Sequence, residues 1–415
     1  MVFSLEVRKA RAGDCLLLHY GSTDDPGLLM IDGGPATVYD TFLRPRLESI
    51  KAARKLEDDE PLSVDAVMVS HIDDDHINGI LGFTRELVDA KREKKPALAR
   101  VRSFWHNTFD DIIGGSSQEL RAAVTASFGA ASLSGDPDVD GLDEAAAKVL
   151  ASVGQGLRLR DDIRALGLKP NAAFGHPLVM AVAGGQPQAI GKGLSLRVIG
   201  PQQVELQNLQ KQHEVFLAAH PEKRVSSLAA FTDTSVPNLS SIVVLAEVGG
   251  KTILLTGDAR GDKVLSGLEL VGAIKPGGTI DVDVVKMPHH GSARNMAPEF
   301  FERIRASHYV ISCDGGHGNP DRETIEMMGD LPKAATFKIH LTYPIEDIDV
   351  ERKKDWEKEQ EKERSRKAKE VRPDWSPAEH SLAAYFDSRP DLAERVVVVD
   401  GQKPHLIDLL DPVQF

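Results

Sequence analysis

The 415-residue chain predicts a mixed α/β fold built on sandwiched sheets, on three observations. Runs of strand length, apolar or alternating, are bounded by Gly, Pro, Asn and Asp. Stretches with helical spacing fall between them. Strand after strand then ends in His, Asp, Gly or Asn, so residues far apart in sequence would meet at the edge onto which those strand ends open.

In order, "FSLEVRKA" alternates, "CLLLHYG" is an apolar run, and "GLLMIDGGP" is a third strand closing on Asp32-Gly-Gly-Pro. Residues 40–58 carry helical spacing around Pro45. "VDAVMVSH" reads as one buried strand, "GILGFTRELVDAKREKK" as a helix, and "ARVRSFWHN" as a strand finishing on Trp105, His106 and Asn107. From 107 to 190 the texture turns to Ala, Gly, Ser and Asp, and "GLDEAAAKVLASVGQGLRLRDDIRALGL" is helical. This stretch is expected to be a helical insertion or lid. Strands resume at "LSLRVIGP" and at the hairpin "NLSSIVVLAEVGGKTILLTGDAR", which turns at Gly249-Gly250. "IDVDVVKMPHHGSARN" and "ASHYVISCDGGHGNPD" each join a buried strand to a histidine-bearing loop. One domain is therefore expected over 1–350, and a charged helix with a C-terminal extension over 351–415.

Composition excludes several classes. Asp and Glu number 63 against 50 Lys and Arg, a formal net charge of −13, which argues against an extended basic surface for polymeric nucleic acid. Two cysteines, Cys15 and Cys313, make no disulfide framework, and no CxxC pair suggests structural zinc. No run is long enough to span a bilayer, and the N-terminus lacks a signal-peptide layout. A soluble, cytoplasmic protein with no membrane partner is the expectation.

The stretch "SHIDDDHINGI" (70–80) has the composition of a metal site. Imidazole and carboxylate suit zinc, manganese or iron, and spacings of two and one around a strand-to-helix turn let alternate side chains share a centre. An Asp-rich helix N-terminus, where carboxylates favour the macrodipole, explains neither His71 nor His76.

Here the chain resembles the metallo-β-lactamase-fold superfamily, whose signature is His-x-His-x-Asp-His at a strand end. Asp73 stands where the second histidine is usual. That departure resembles one branch, the soluble hydrolase domain of competence-type DNA-uptake proteins (ComEC-like) and its stand-alone relatives. "RAGDCLLLHYG", "LLMIDGGP", the Asn-x-Ser-Ser strand pair ending in Thr-Gly-Asp, "VVKMPHHGS" and "HGNPD" are similar to that branch's motifs in the same order, over roughly residues 5–330.

The resemblance implies an αββα sandwich holding two divalent ions, zinc or manganese. Carried over, His71 and Asp73 would face one ion and Asp75 and His76 the other, with Asp258 bridging both. The superfamily's Pro-x-His-Gly spacing points to His290 as a ligand. His289 would then support that ligand or contact substrate. His106 is either a further ligand or a supporting or core residue. His317, Asn319, Ser292 and Asn238 are assigned to the substrate pocket, with turn chemistry as the alternative for the first two. Asp32 is expected to hydrogen-bond a ligand histidine or backbone amides.

The function this implies is a metal-dependent hydrolase, with Asp75 or Asp258 holding the nucleophile and His289 or His317 protonating the leaving group. A phosphodiesterase or nuclease acting on a phosphate-containing small molecule or short nucleic acid comes first. Hydrolysis of carbon esters, lactones or amides is the alternative, because fold does not settle chemistry. A silent metal-binding module, meeting a protein partner through the insertion or C-terminal segment, is the third reading.

Overall fold

The computed structural model describes residues 1–108, 144–207, 240–332, 334–400 and 403–414. Two sheets face each other. The first runs β16-β1-β2-β3-β5-β7 and the second β15-β14-β13-β12-β11-β10-β9-β8. The strands are β1 (Val2–Val7), β2 (Leu16–Gly21), β3 (Pro26–Ile31), β4 (Leu62–Val64), β5 (Ala66–Met68), β6 (Ala99–Val101), β7 (Phe104–Trp105), β8 (Gln188–Gly191), β9 (Leu194–Gly200), β10 (Val243–Val248), β11 (Lys251–Leu255), β12 (Ile280–Lys286), β13 (Ile304–Ile311), β14 (Lys338–Leu341), β15 (Val396–Val398) and β16 (His405–Asp408).

Period-two alternation sorts the side chains into layers. Leu16, Leu18 and Tyr20 of β2, with Leu29 and Ile31 of β3, pack between the sheets against Val244, Ile253, Leu255 and Val284. Their neighbours Leu17, Leu28 and Met30 point the other way, into a cluster with Leu47, Ile77, Ile80 and Phe83 from the helices outside the first sheet. Leu254, Val285 and Ile311 do the same on the second sheet, against Val264, Leu268 and Ile325. Sheets buried on both faces give the four-layered αββα arrangement of the metallo-β-lactamase fold.

A buried charged cluster ties an outer helix to this frame. Glu6 of β1 accepts from Arg46 Nε (2.8 Å) and Nη2 (3.0 Å) and sits 3.0 Å from His19 Nε2. Arg46 belongs to α1 (Arg44–Ala53), so the pair ties the outer helix to the sheet. Pro45 lies in the first turn of α1, where its missing N–H would have had no intrahelical partner.

Elsewhere the elements depart from the expected spans. "VDAVMVSH" is interrupted at Asp65, whose carboxylate accepts from Tyr20 Oη (2.9 Å) and the Leu28 N–H (3.3 Å). The pieces on either side join different sheets, β4 pairing with β6 and β5 with β3 and β7. The run "ARVRSFWHN" divides in the same way into β6 and β7.

Of the expected insertion, residues 109–143 lie outside the described residues. Helix α3 (Glu144–Leu166) buries Leu157, Leu159 and Ile163 against α2 (Asp74–Glu93), so this part is an element of the outer layer. The expected C-terminal extension supplies an edge strand to each sheet, β15 beside β14 and β16 beside β1. The charged helix Ile345–Ser365 buries Ile348, Arg352 and Gln360 on one face. No helix among the described residues is long and apolar enough to cross a membrane.

Candidate metal centre

Strands β3, β5 and β7 run parallel in one sheet, as do β11, β12 and β13 in the other. Their C-terminal ends deliver Asp32, His71, Asp258 and His289-His290, in keeping with the tendency of parallel sheets to bind ligands there. Helix α2 begins with Asp73 as its extended N-cap residue and holds Asp74 and Asp75 in its first turn. Helical geometry then separates the three aspartates. Asp74 turns away and accepts from Gln155 Nε2 at 2.6 Å, while Asp73 and Asp75 face the histidines. The helix can sit this close because Gly79 has no side chain: a Cβ there would lie 1.9 Å from the Gly33 carbonyl oxygen.

Each histidine is held from its Nδ1 side. His76 Nδ1–H donates to Asp32 Oδ2 (2.9 Å), and His290 Nδ1–H donates to the Ser312 carbonyl (2.7 Å). Ser70 Oγ lies 3.1 Å from His71 Nδ1 and donates to Asp32 Oδ2 at 2.7 Å. The Ser70 N–H also donates to Asp32 Oδ1 (2.7 Å). Asp32 thus binds both a histidine and a backbone amide, from a left-handed backbone (φ 55°). Such support fixes the ring orientation and leaves the Nε2 lone pairs pointing inward.

Those Nε2 atoms converge on Asp258, whose two oxygens face different partners. Oδ1 is 3.3 Å from His76 Nε2 and 3.4 Å from His290 Nε2. These two nitrogens are 3.2 Å apart, and Asp75 Oδ2 lies 3.6 Å from His290 Nε2. Oδ2 is 3.7 Å from His71 Nε2, which has Asp73 Oδ2 at 3.8 Å on another side. Ligands about 2.0–2.2 Å from a common tetrahedral ion stand roughly 3.3–3.6 Å from one another, close to these spacings.

Further observations test whether this donor set fits a divalent cation. His71 Nε2 is buried and has no hydrogen-bond partner among the described residues. Burial, together with the charges of Asp75 and Asp258, pushes the Asp73 carboxyl up to about 7, a repulsion that a cation would relieve. Burial would also raise Asp258, but the imidazoles of His290, His76, His289 and His71 hold it well below the usual carboxylate range. The residues fit.

The centre rests on a charged pair that the sequence reading did not assign. Lys286 Nζ, 1% exposed, contacts Asp14 Oδ2, stands 3.7 Å from Asp258 Oδ1 and donates to the Gly257 carbonyl at 3.2 Å. Asp14 approaches His76 (3.8 Å) and His290 (3.6 Å) from their Nδ1 sides. Its carboxylate also forms one potential ligand group with His76, Asp258 and His290. The available signals were a lysine ending the apolar run "VDVVK" and an Asp just ahead of an apolar strand.

The remaining expected residues separate. His106 is buried with its backbone held by the Asn171 amide (3.0 and 2.7 Å), and it joins neither potential ligand group, Asp14-His76-Asp258-His290 or His71-Asp75-His76. His317 is exposed, with φ 58°, and Asn319 is buried on the same loop. The Asp321 N–H donates to the Gly291 carbonyl (3.1 Å), tying that loop to the His289-His290 turn. Ser292 Oγ meets Asp321 Oδ2 at 3.4 Å. Asn238 lies outside the described residues.

Residues 10–153 match the metallo-β-lactamase superfamily. Its members are mostly metal-dependent hydrolases, and the matched stretch contains Asp14, Asp32 and the whole His71–His76 motif. Among solved structures, the chain is similar to the metallo-β-lactamase fold protein YhfI from Bacillus subtilis. The two share 12% identity with a TM-score of 0.37, over 82% of this chain and 97% of that one. A point variant of the CmlA β-hydroxylase gives 12% identity and a TM-score of 0.34, over 81% of this chain and 52% of CmlA, so the chain spans about half of that protein. No curated protein matches.

A prediction follows from the support of His76. Asp32→Asn keeps a residue tolerant of positive φ but weakens the acceptor for His76. Zinc affinity measured by titration calorimetry should fall about 10–100-fold, and unchanged affinity would show that Asp32 serves only the backbone.

Proposed function

We propose that the protein is a two-metal phosphodiesterase acting on nucleotide-like diesters or short single strands. The observation that carries this is the division of Asp258, with one oxygen facing His76 and His290 and the other facing His71. Asp73, an oxygen donor, stands next to His71. Carboxylate-rich sites suit ions such as manganese that partner phosphate oxygens, and a two-metal clamp suits in-line displacement at phosphorus. The ordered motifs that resemble those of the hydrolase domain of DNA-uptake proteins support the same reading.

When bound, the ions supply Lewis acidity and a nucleophilic water near neutral pH. The chain's own task is to hold and orient. Asp75 and Asp258 fix the ligand geometry, with Asp32 and Ser312 locking the ring orientations behind them. His317, exposed on the loop tied to the His289-His290 turn, donates a proton to the departing alkoxide, and Asn319 on the same loop orients the substrate. An excess of acidic residues, 63 against 50 basic, leaves few cations to neutralise a long phosphate backbone, favouring short substrates over duplex.

Initial rates on a chromogenic diester, a short single strand, a plasmid and a lactone, each with manganese or zinc, test the proposal. Manganese should support diester hydrolysis at least as well as zinc, and faster than lactone hydrolysis. Robust lactone turnover without diester turnover would replace this reading with the carbon-ester one. Full metal occupancy with no turnover of any substrate would favour a binding module.

A further inference from the structure

We infer that His289 is a ligand of the first metal, completing with His71, Asp73 and Asp258 Oδ2 a set that the sequence motif leaves short of one nitrogen. This inference rests on the two-metal reading above. His289 Nε2 lies 3.7 Å from Asp258 Oδ2, the oxygen that His71 Nε2 approaches at the same distance. Its neighbour His290 takes the other oxygen, Oδ1, at 3.4 Å. Adjacent histidines thus address opposite ends of one carboxylate.

The backbone is shaped for this division. Both residues are left-handed, His289 at φ 45° and His290 at φ 54°. Non-glycine residues rarely adopt that conformation. The two rings end up 6.1 Å apart and at 82° to each other. An extended dipeptide would send the side chains to opposite sides, and only one could reach the centre. The turn is held in place by the His289 N–H donating to the Gly257 carbonyl (3.2 Å), next to Asp258 itself. His290 is buried, whereas the His289 side chain is 29% exposed. The first site therefore opens toward solvent on the His289 side, while His290 is covered.

The test is metal binding by the full chain, independent of turnover. Zinc would be titrated calorimetrically into wild type, His289→Asn and His317→Asn, because asparagine tolerates positive φ at both positions. Wild type should bind two equivalents. His289→Asn should keep one at wild-type affinity and bind the other more than about 100-fold more weakly, beyond the range for losing an outer support. His317→Asn should bind both as wild type does. A second measurement needs no variant. Proton NMR of the dicobalt wild-type protein should show four hyperfine-shifted, solvent-exchangeable imidazole N–H signals, for His71, His76, His289 and His290. Two unchanged zinc affinities in His289→Asn, or three such N–H signals, would overturn the assignment while leaving the two-metal centre standing. Wild type binding fewer than two zinc ions would overturn both.

Discussion

Asp258→Ala should release both metal ions, lowering the affinity of each by more than about 100-fold, and hydrolysis should be lost with them. Outer partners of metal ligands typically carry 10–100-fold in affinity, and in the proposed two-metal centre Asp258 would donate directly to both ions. Its oxygens stand 3.3 and 3.4 Å from His76 and His290, and 3.7 Å from His71 and His289. Removal also leaves Lys286, buried beside it, with Asp14 as its remaining carboxylate. His106→Ala should have a far smaller effect on metal content, because His106 joins neither ligand group. Metal analysis after dialysis, with circular dichroism to confirm folding, distinguishes the two variants. Equal metal loss would assign His106 a place in the centre.

Glu6→Ala should produce the largest loss of stability, about 3–5 kcal/mol, by leaving Arg46 as an uncompensated buried cation. Glu6 is fully buried and Arg46 is 4% exposed. Denaturant unfolding measures the loss. The double variant Glu6→Met, Arg46→Leu should recover most of it, since an apolar pair needs no charge compensation.

The same site predicts a pH dependence. Burial alone would raise the Glu6 carboxyl, but hydrogen bonds from His19 and Arg46 outweigh it and lower the carboxyl from 4.5 to about 2. A carboxyl depressed in the folded state stabilises the fold above its unfolded value. The contribution, about 3 kcal/mol, is therefore complete above pH 4.5 and is lost as pH falls toward 2. A wild-type acid transition no different from that of the double variant would refute this.

Much of the centre was legible because its residue types are poor core material placed beside apolar runs. His71, Asp73, Asp75, His76, Asp258 and His290 could be picked out as chemistry before any coordinates, and the structure brings them together. Asp14 is not legible in the same way, because it precedes a strand instead of ending one. It precedes β2, which runs antiparallel to β3 with Leu16 opposite Ile31, so the start of that strand lies at the edge where the others finish. Lys286 escaped because a lysine closing a strand ordinarily reaches solvent. Its burial depends on Asp14, 272 positions away by number.

Local sequence determined what local forces decide. Hydrophobic period placed most strands and helices, glycines placed the hairpin at Gly249-Gly250, and the His71–His76 motif marked a stretch of candidate metal ligands. Tertiary structure decided what depends on partners from elsewhere in the chain. "VDAVMVSH" is apolar enough to read as one buried strand, yet it divides at Asp65 because Tyr20 and Leu28 offer that carboxylate hydrogen bonds. Residues 396–408 read as an appendage, but an edge strand is defined by the neighbour it pairs with, and their neighbours are β14 and β1. Which oxygen of Asp258 each histidine meets follows from backbone torsions at His289 and His290, set by contacts such as the His289–Gly257 hydrogen bond that no residue spacing encodes.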